Sequence, residues 1–479
     1  MAGVSYVPES YSKAWIPILD RSRTIAKPGY SRWMVPPAAL FIDLCIGHAY
    51  AFSVFNLPLT KLIGVTASAP GDWTLAEVGW IFSIAMLFLG SASAVFGRWV
   101  EEGGPRKAMV AATCCFAGGF FVSALGVWSH QLWLIYVGYG VLGGCGLGIG
   151  YISHVSTLIK WFPDHPGLAT GMAICGFGGG AMIGSPLSVL LMNYFASATS
   201  VGVAQAFVAL GIIYGLFMTI GAIIVRVPPD GYRPAGYVPA AAPKKLVTTE
   251  QVSVDQASKT PQFWLIWMII FLNTTAGIGV LGQASAMAQE MIGVSAVAAA
   301  GFVGLLSVFN MSGRFGWATL SDYIGRKNTY YVFLLLGIVL YAMVPTLAAT
   351  RNFVLFVLFF CICISMYGGA FSTLPAYLRD LYGTMNVGAI HGRELTAWSA
   401  AGIAGPVLVN YIRQYQIASG VPNAQAYTVT MYIMVGLLVI GLLCNFLIKP
   451  VDKRHHYKAS GPASDPAAAK TNPQVAVSQ

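Results

Sequence analysis

Residues 307 to 328 read SVFNMSGRFGWATLSDYIGRKN: an apolar run interrupted by a lone arginine, Arg314, and closed by Asp322, Gly325, Arg326 and Lys327. The same closing pattern stands at residues 97 to 107, GRWVEEGGPRK, as Glu101, Gly104, Arg106 and Lys107. In both copies an acid is followed three residues later by glycine and then by a basic pair. Glu101 to Asp322 and Gly104 to Gly325 are both steps of 221 residues. A cluster duplicated in register within a chain of apolar spans points to two repeated halves, the build of an alternating-access carrier whose site lies near the midplane between them.

The composition makes the membrane reading firm. Of 479 residues 56% are hydrophobic and 9% charged, against roughly 25% charged in soluble domains. Mean hydropathy is +0.68. Apolar runs of at least ~18 residues with almost no charge number twelve, at 34 to 57, 76 to 97, 108 to 127, 132 to 156, 167 to 194, 204 to 226, 262 to 288, 297 to 320, 329 to 349, 353 to 376, 388 to 411 and 428 to 448. In lipid such runs must be helices, because only a helix satisfies its own backbone groups. The expected fold is therefore all-α, twelve transmembrane helices in two six-helix bundles, 34 to 226 and 261 to 448. A 227 to 260 linker rich in Pro, Ala and charge joins them, and tails at 1 to 33 and 449 to 479 flank them.

The first 33 residues carry Lys13, Arg21, Arg23, Lys27 and Arg32 with no apolar core before a small-residue cleavage site, so no signal peptide is expected. With the N-terminus inside, Lys61, Arg351 and Arg413 fall outside and Arg314 within the membrane. All the rest of the 27 Lys and Arg fall on the cytoplasmic side. The net charge of +10 is thus topology, and no soluble module is present to carry a nucleic-acid surface. Eight cysteines lie mainly inside spans without metal or disulfide spacing, and His455 and His456 read as part of a solvated basic tail. GYGVLGG, 138 to 144, contains a literal GxGxxG, but inside an apolar span no strand can precede it. It reads as packing, like the four-apart pairs Gly144 with Gly148 and Gly176 with Gly180, whose spacing suits close helices.

Twelve spans with an acid-x-x-Gly cluster closed by Arg-Lys after spans 2 and 8, one residue longer in the first copy, resemble the major facilitator superfamily, departing from the common form in Glu101 for Asp and Ala318 for the leading glycine. The carboxylates are expected to hold Arg or Lys in a cytoplasmic latch that breaks as the halves rock; a purely topogenic cluster is the alternative. Three further stretches narrow the likeness: GHAYAFSVFNLPL from 47, GLGIGYISHVSTLIKWFPDHPGLATGMAICGFGGGA from 146, and YGTMNVGAIHGRELTAWSAAGIAGP from 382. Together these resemble the oxalate/formate antiporter family and its monocarboxylate-transporting relatives.

Arg314 lies seven residues before Ser321, ~10 Å inside the end of span 8 at 1.5 Å per residue. A central arginine costs at least ~2.5 kcal/mol on insertion scales, so it usually faces a cavity or partner; snorkelling to the surface is the alternative. Asn310, one turn earlier, shares its face. A guanidinium with a neighbouring amide suits a small carboxylate, offering a planar fork that stays charged. The resemblance implies the same, since related carriers contact substrate through an Asn and Arg four apart on helix 8. It further implies an aromatic enclosure from Tyr367 and Phe371 on span 10, Tyr50 on span 1, Tyr151 on span 4 and Trp398 on span 11. Where the oxalate exchanger is expected to carry a lysine one turn after the tryptophan, this chain has Ala401. One buried cation leaves a dianion half uncompensated, so a monocarboxylate such as formate, lactate or pyruvate is expected over oxalate. Arg393 and His391 are substitute charges that keep oxalate as the runner-up; Arg393 has the alternative of pairing with Glu394 or loop acids.

Asp43 and His48, both in span 1, are proton-coupling candidates, Asp43 equally a structural counter-ion. Lacking a relay, the carrier would be an exchanger. A sugar or drug carrier fits a buried cation less well, and no HExxH, no GxSxG in context and no appended module supports an enzyme. No cofactor or metal is expected; the expected partners are a small organic anion and the bilayer, for a monomer in a bacterial inner membrane with both termini cytoplasmic.

Overall fold

The computed structural model describes residues 17–229, 231–234, 247–248, 250–294 and 296–457. Twelve long helices follow one another among these residues. In the first half they are α1 (Val35–Ile46, continued by a 3-10 stretch Gly47–Phe55), α2 (Leu75–Gly103), α3 (Pro105–Trp128), α4 (Leu132–Trp161), α5 (Pro166–Phe195) and α6 (Val203–Ile224). In the second they are α7 (Pro261–Met287), α8 (Ala296–Ile324), α9 (Arg326–Ala349), α10 (Phe353–Tyr382), α11 (Val387–Ala418) and α12 (Thr428–Leu447). Eleven spans are apolar enough by composition alone to cross a membrane; the twelfth helix, α8, has the length, 29 residues, and is the one that carries Arg314.

Local sequence sets the boundaries. Thr74 and Glu77 close a capping box at the start of α2. At each copy of the duplicated cluster one helix ends and the next begins across a single glycine, Gly104 at φ +84 and Gly325 at φ +87. Side chains disfavour that backbone region, which is why glycine stands at the same place in both copies. Three helices lose regular geometry along their length: α1 tightens to 3-10 through His48 and Tyr50, α4 loosens to a π stretch at Tyr136–Gly143, and α11 breaks at Leu395, between Glu394 and Thr396.

Within the first half α3 packs on α4 and α6, and α1 on α5 and α6; within the second α8 packs on α10, α7 on α11, and α9 on α12. The seam between halves is formed by α5 against α8 and α10, and by α2 against α11. Gly148 meets α2 and Gly180 meets Gly47 of α1, so the four-apart glycines pack helices within one half.

One end of the bundle gathers the tails and the linker. Ala26 N donates to Val227 O (2.9 Å) and Val227 N to Thr24 O (2.9 Å), while Tyr457 N donates to Gln251 O (2.7 Å). Residues 250 to 260 run beneath the second half through a one-turn helix, Val254–Ala257. The tail expected from 449 onward packs there as far as Tyr457; the rest of it, with residues 1–16 and linker positions 230, 235–246 and 249, lies outside the described residues. At this linker end α5 and α8 touch: a Cβ on Gly167 would overlap Ala318 O, and one on Gly178 would sit 3.1 Å from Met311 Cα. Two turns farther along the same faces they part. Gly304 has nothing within 4 Å, Val308 is 40% and Met182 48% exposed, and a cavity of about 570 Å³ lies along α5 at Ser185, Pro186, Val189, Leu190 and Asn193. The molecule is sealed at the linker end and spread at the far end.

Candidate functional site: a buried guanidinium in an aromatic cage

Arg314 is fully buried, 0% exposed, at the middle of the seam. Its Nε donates to Asn310 Oδ1 at 3.1 Å, the one-turn spacing expected from sequence. Among the described residues Nη1 and Nη2 have no acceptor at hydrogen-bond geometry, though the hydroxyls of Tyr50 and Tyr151 face the guanidinium. The guanidinium carbon lies 5.4 Å from the Phe177 ring centre and 5.7 Å from that of Phe371, within cation–π range.

The aromatic residues named from the sequence converge around it. Tyr50 and Tyr367 join their hydroxyls across the seam at 3.2 Å. Phe371 packs on Tyr367 (ring centres 5.3 Å apart) and on Trp398 (4.4 Å), and Trp398 meets Tyr151 edge-on at 5.5 Å. Five helices thus deliver Arg314, Asn310, Tyr50, Tyr151, Tyr367, Phe371 and Trp398 to one chamber. Sequence reasoning missed Phe177 on α5, which sits 5.2 to 5.4 Å from Tyr50, Tyr151 and Trp398 and joins the two sides of the cage. Its only signal was its place in the glycine-rich run GFGGGA, where one large side chain among small ones must fill the space they leave.

Asp43 and His48 part company. Asp43 lies 3.3 Å from His154 Nε2 of α4, both side chains wholly buried, with Arg314 a further charged neighbour. His48 turns away into the first half, its Nε2 at 3.1 Å from Ser188 Oγ and its Nδ1 at 3.4 Å from Tyr139 OH. There it is enclosed by Phe55, Phe120 and Tyr214. Five residues from Asp43, it stands about 140° around the helix from that side chain, so the two face different neighbours. Arg393 takes the loop-acid option. It bonds Asp255 (2.7 Å), Ser258 (2.7 Å) and the Val254 carbonyl (3.0 Å), and so stands outside the cage. Ala401, one turn past Trp398, is buried and apolar.

The duplicated clusters seal the linker end by a mirrored exchange. Glu101 of the first half accepts from Gly388 N (2.9 Å), in the first turn of α11 in the second half, and from Lys160 Nζ (2.9 Å). Asp322 of the second half accepts from Gly167 N (2.9 Å) and Leu168 N (3.0 Å), in the first turn of α5 in the first half. Helix first turns offer unpaired amides and a positive dipole end, so each acid holds the opposite half by its weakest-satisfied backbone. Only one basic residue of the expected latch pairs with its own acid, Arg326 with Asp322, and it also lies 3.5 Å from Asp380. Arg106 caps the end of α6 through the carbonyls of Ala222, Ile223 and Val225, Lys107 lies over the Trp99 ring, and Lys327 bonds the carbonyls of Phe446 and Ile448. Among the described residues no group of three or more His, Cys, Asp or Glu is placed to hold a metal.

A family model described as Major Facilitator Superfamily matches residues 29–406, and the chain belongs to that superfamily: it is a membrane transporter, not an enzyme. The oxalate:formate antiporter of Oxalobacter formigenes is 26% identical over 379 residues, 78% of this chain and 83% of that protein. The apicoplast pyruvate carrier 1 of Toxoplasma gondii is 23% identical over 452 residues, 81% and 78% of the two chains. Among solved structures, the transporter FucP in its outward conformation superposes with a TM-score of 0.61 at 15% identity, over 86% of this chain and 98% of that one, a likeness of fold.

Proposed function

We propose that the protein carries a small organic monocarboxylate, of the formate, lactate or pyruvate type, through the membrane by alternating access. The observation that carries this reading is the Arg314 guanidinium: wholly buried, fixed by Asn310, and with no carboxylate bonded to either terminal nitrogen among the described residues. A buried cation of that kind is paired by a carboxylate, whose two oxygens match the two terminal nitrogens. The cage of Tyr50, Tyr151, Phe177, Tyr367, Phe371 and Trp398 surrounds the guanidinium with rings that exclude water. With Ala401 apolar and Arg393 held by Asp255, no second permanent cation stands at the cage among the described residues; His391, its ring centre 5.8 Å from that of Tyr151, is the substitute charge that keeps a dicarboxylate in competition. The names of the two relatives, an oxalate:formate antiporter and a pyruvate carrier, fit a carboxylate cargo and keep oxalate as the competing substrate.

The conformation sealed at the linker end loads substrate from the far end. Rocking would break the Glu101–Gly388 and Asp322–Gly167 bonds and open the other side. The Lys/Arg bias assigns the linker end to the cytoplasm, in a bacterial inner membrane. Asp43 is the proton-coupling candidate that lies near the cage; His48 belongs to a separate aromatic core.

The test is uptake of labelled formate, lactate, pyruvate and oxalate into liposomes holding the purified protein. A monocarboxylate is expected to be taken up, Arg314→Ala to abolish uptake, and Ala401→Lys to raise oxalate relative to monocarboxylate. Equal uptake by wild type and Arg314→Ala refutes the site, and oxalate outrunning every monocarboxylate in the wild type refutes the substrate class.

A further inference from the structure

The two seams differ at one pair of repeat positions. Trp398 and Ser399 stand 221 residues after Phe177 and Gly178, and Ser93 stands 221 before Arg314. Where α2 meets α11 both positions are serine: Ser399 Oγ donates to Met86 O at 2.6 Å and accepts from Gly90 N at 3.0 Å across the seam, while Ser93 Oγ donates to Leu89 O and Gly148 O inside its own half. Where α8 meets α5 the same two positions are Arg314 and Gly178. A long cation thus enters this seam from one half where the other half carries no side chain.

The glycine lies against the stem of that arginine. A Cβ at 178 would sit 3.2 Å from both Cδ and Nε of Arg314 and 3.1 Å from Met311 Cα, inside the ~3.5–4.0 Å at which carbon atoms rest. The hydroxymethyl that the repeat carries at Ser399 would here fall on the arginine. A second glycine, Gly368 of α10, bounds the stem from its own half: a Cβ at 368 would overlap Asn310 O and Oδ1 and sit 3.1 Å from Arg314 Cγ. Both glycines are buried, and each adjoins a cage ring, Phe177 beside Gly178 and Tyr367 beside Gly368. From Cγ to Nε the stem therefore passes between two bare backbones, and the guanidinium emerges between the rings of Phe177 and Phe371. The same space lets Asn310 Oδ1 reach Nε at 3.1 Å; a methyl at 368 would take the place of that amide.

We propose that Gly178 and Gly368 are positioning residues for the cargo: they form a slot, one wall from each half, that fixes the Arg314 stem so that Nη1 and Nη2 meet both oxygens of a carboxylate. The inference rests on the carboxylate-carrier reading. A two-point match of guanidinium to carboxylate is geometric, and a recognition group has to be held within about 0.5 Å of its productive place. An arginine has many rotamers, and the slot removes most of them before the anion arrives, so less of the binding energy goes into ordering the side chain. Neither glycine acts on the cargo directly. Each acts through the arginine, and the consequence is a loss of affinity that does not depend on the size of the carbon skeleton.

The experiment uses the full chain in liposomes and measures counterflow of labelled against unlabelled formate, lactate and pyruvate over a range of concentrations. Gly178→Ala is compared with Gly171→Ala, two turns away on the same face of α5. A Cβ at 171 is about as tightly placed, 3.2 to 3.3 Å from Phe315 O, Ala318 Cβ and Arg314 O, but it touches no part of the arginine side chain. Gly178→Ala is expected to raise the half-saturating concentration at least about fivefold, by one factor for every cargo carried, with the maximal rate within about threefold of wild type, the pattern of lost binding rather than lost turnover. Gly171→Ala is expected to stay within about twofold on both. Gly368→Ala, with Gly369→Ala as its control because a Cβ there presses on Trp317 instead, is expected to repeat the split and serves if Gly178→Ala does not fold. Equal rises in Gly171→Ala and Gly178→Ala, or none in either, overturn the inference and leave the carrier reading standing. A rise that grows from formate to lactate and pyruvate overturns it too, placing the glycine against the cargo itself. Failure of both Gly178→Ala and Gly368→Ala to fold beside folded controls overturns it as well, assigning the pair to packing alone. Absence of counterflow with any carboxylate in the wild type overturns the carrier reading and this inference with it.

Discussion

Asp322→Asn tests the mirrored seal. In the wild type two carboxylate oxygens receive two amides from the opposite half, Gly167 N at 2.9 Å and Leu168 N at 3.0 Å, in a side chain 8% exposed. Asparagine has the same shape but one acceptor oxygen, its other terminus being an NH2 that cannot receive an amide. One inter-half bond is therefore lost, and the other becomes neutral. Arg326 retains Asp380 within its own half, so the loss falls on the seam. Losing a hydrogen bond to a charged group costs about 1.5–3 kcal/mol, so opening of the linker end should become easier by about 2 kcal/mol, roughly 30-fold in the open population. The assay is hydrogen exchange read by mass spectrometry on peptides covering the start of α5, with far-end peptides as the internal control. Exchange at Gly167 and Leu168 is expected to quicken by about that factor while protection at the far end stays constant. Exchange within about twofold of wild type at α5 would refute the assignment of Asp322 as an inter-half bond.

Two further outcomes follow from the geometry. Phe177→Ala removes a ring 5.4 Å from the Arg314 guanidinium carbon, a contact of about 0.5–2 kcal/mol, so the half-saturating substrate concentration should rise roughly 2- to 30-fold in uptake kinetics; an unchanged value would place Phe177 outside the site. At the linker end Arg32 forks onto Asp164 at 2.8 and 3.0 Å. Burial acts to raise that carboxyl, and the hydrogen bonds and charge of Arg32 outweigh it, holding it below its ordinary value of 3.8. A depressed carboxyl stabilises the fold above its unfolded value and ceases to do so as pH falls through the folded one. The melting-temperature gap between wild type and Arg32→Ala should therefore be present at neutral pH, corresponding to at most about 1 kcal/mol for a partly exposed pair, and close below about pH 4. A gap that persists in acid would refute the pairing.

Much of the site was legible because helical periodicity acts locally. Asn310 and Arg314 share a face by their spacing alone, and Tyr367 with Phe371 does the same. The family likeness supplied the remaining aromatic positions. The surroundings of His48 were not legible: spacing sets its face of α1, but that this face meets Phe120, Tyr139 and Ser188 depends on which helices pack there. The partners of Glu101 were equally hidden, since a basic pair five and six residues away looked sufficient while the acid in fact reaches Lys160 and the backbone of the opposite half.

The chain by itself determined the membrane class, the two repeated halves, the glycines between paired helices and the single unmatched arginine, because hydrophobicity, backbone conformation and charge are properties of residues and short segments. Tertiary structure alone decided that Phe177 closes the cage, that Asp43 faces His154, that His391 lies against Tyr151, and which end is sealed. Those depend on how helices far apart in sequence rotate and cross. A shift of one residue in such a crossing exchanges the face that meets the seam for the one that meets its own half.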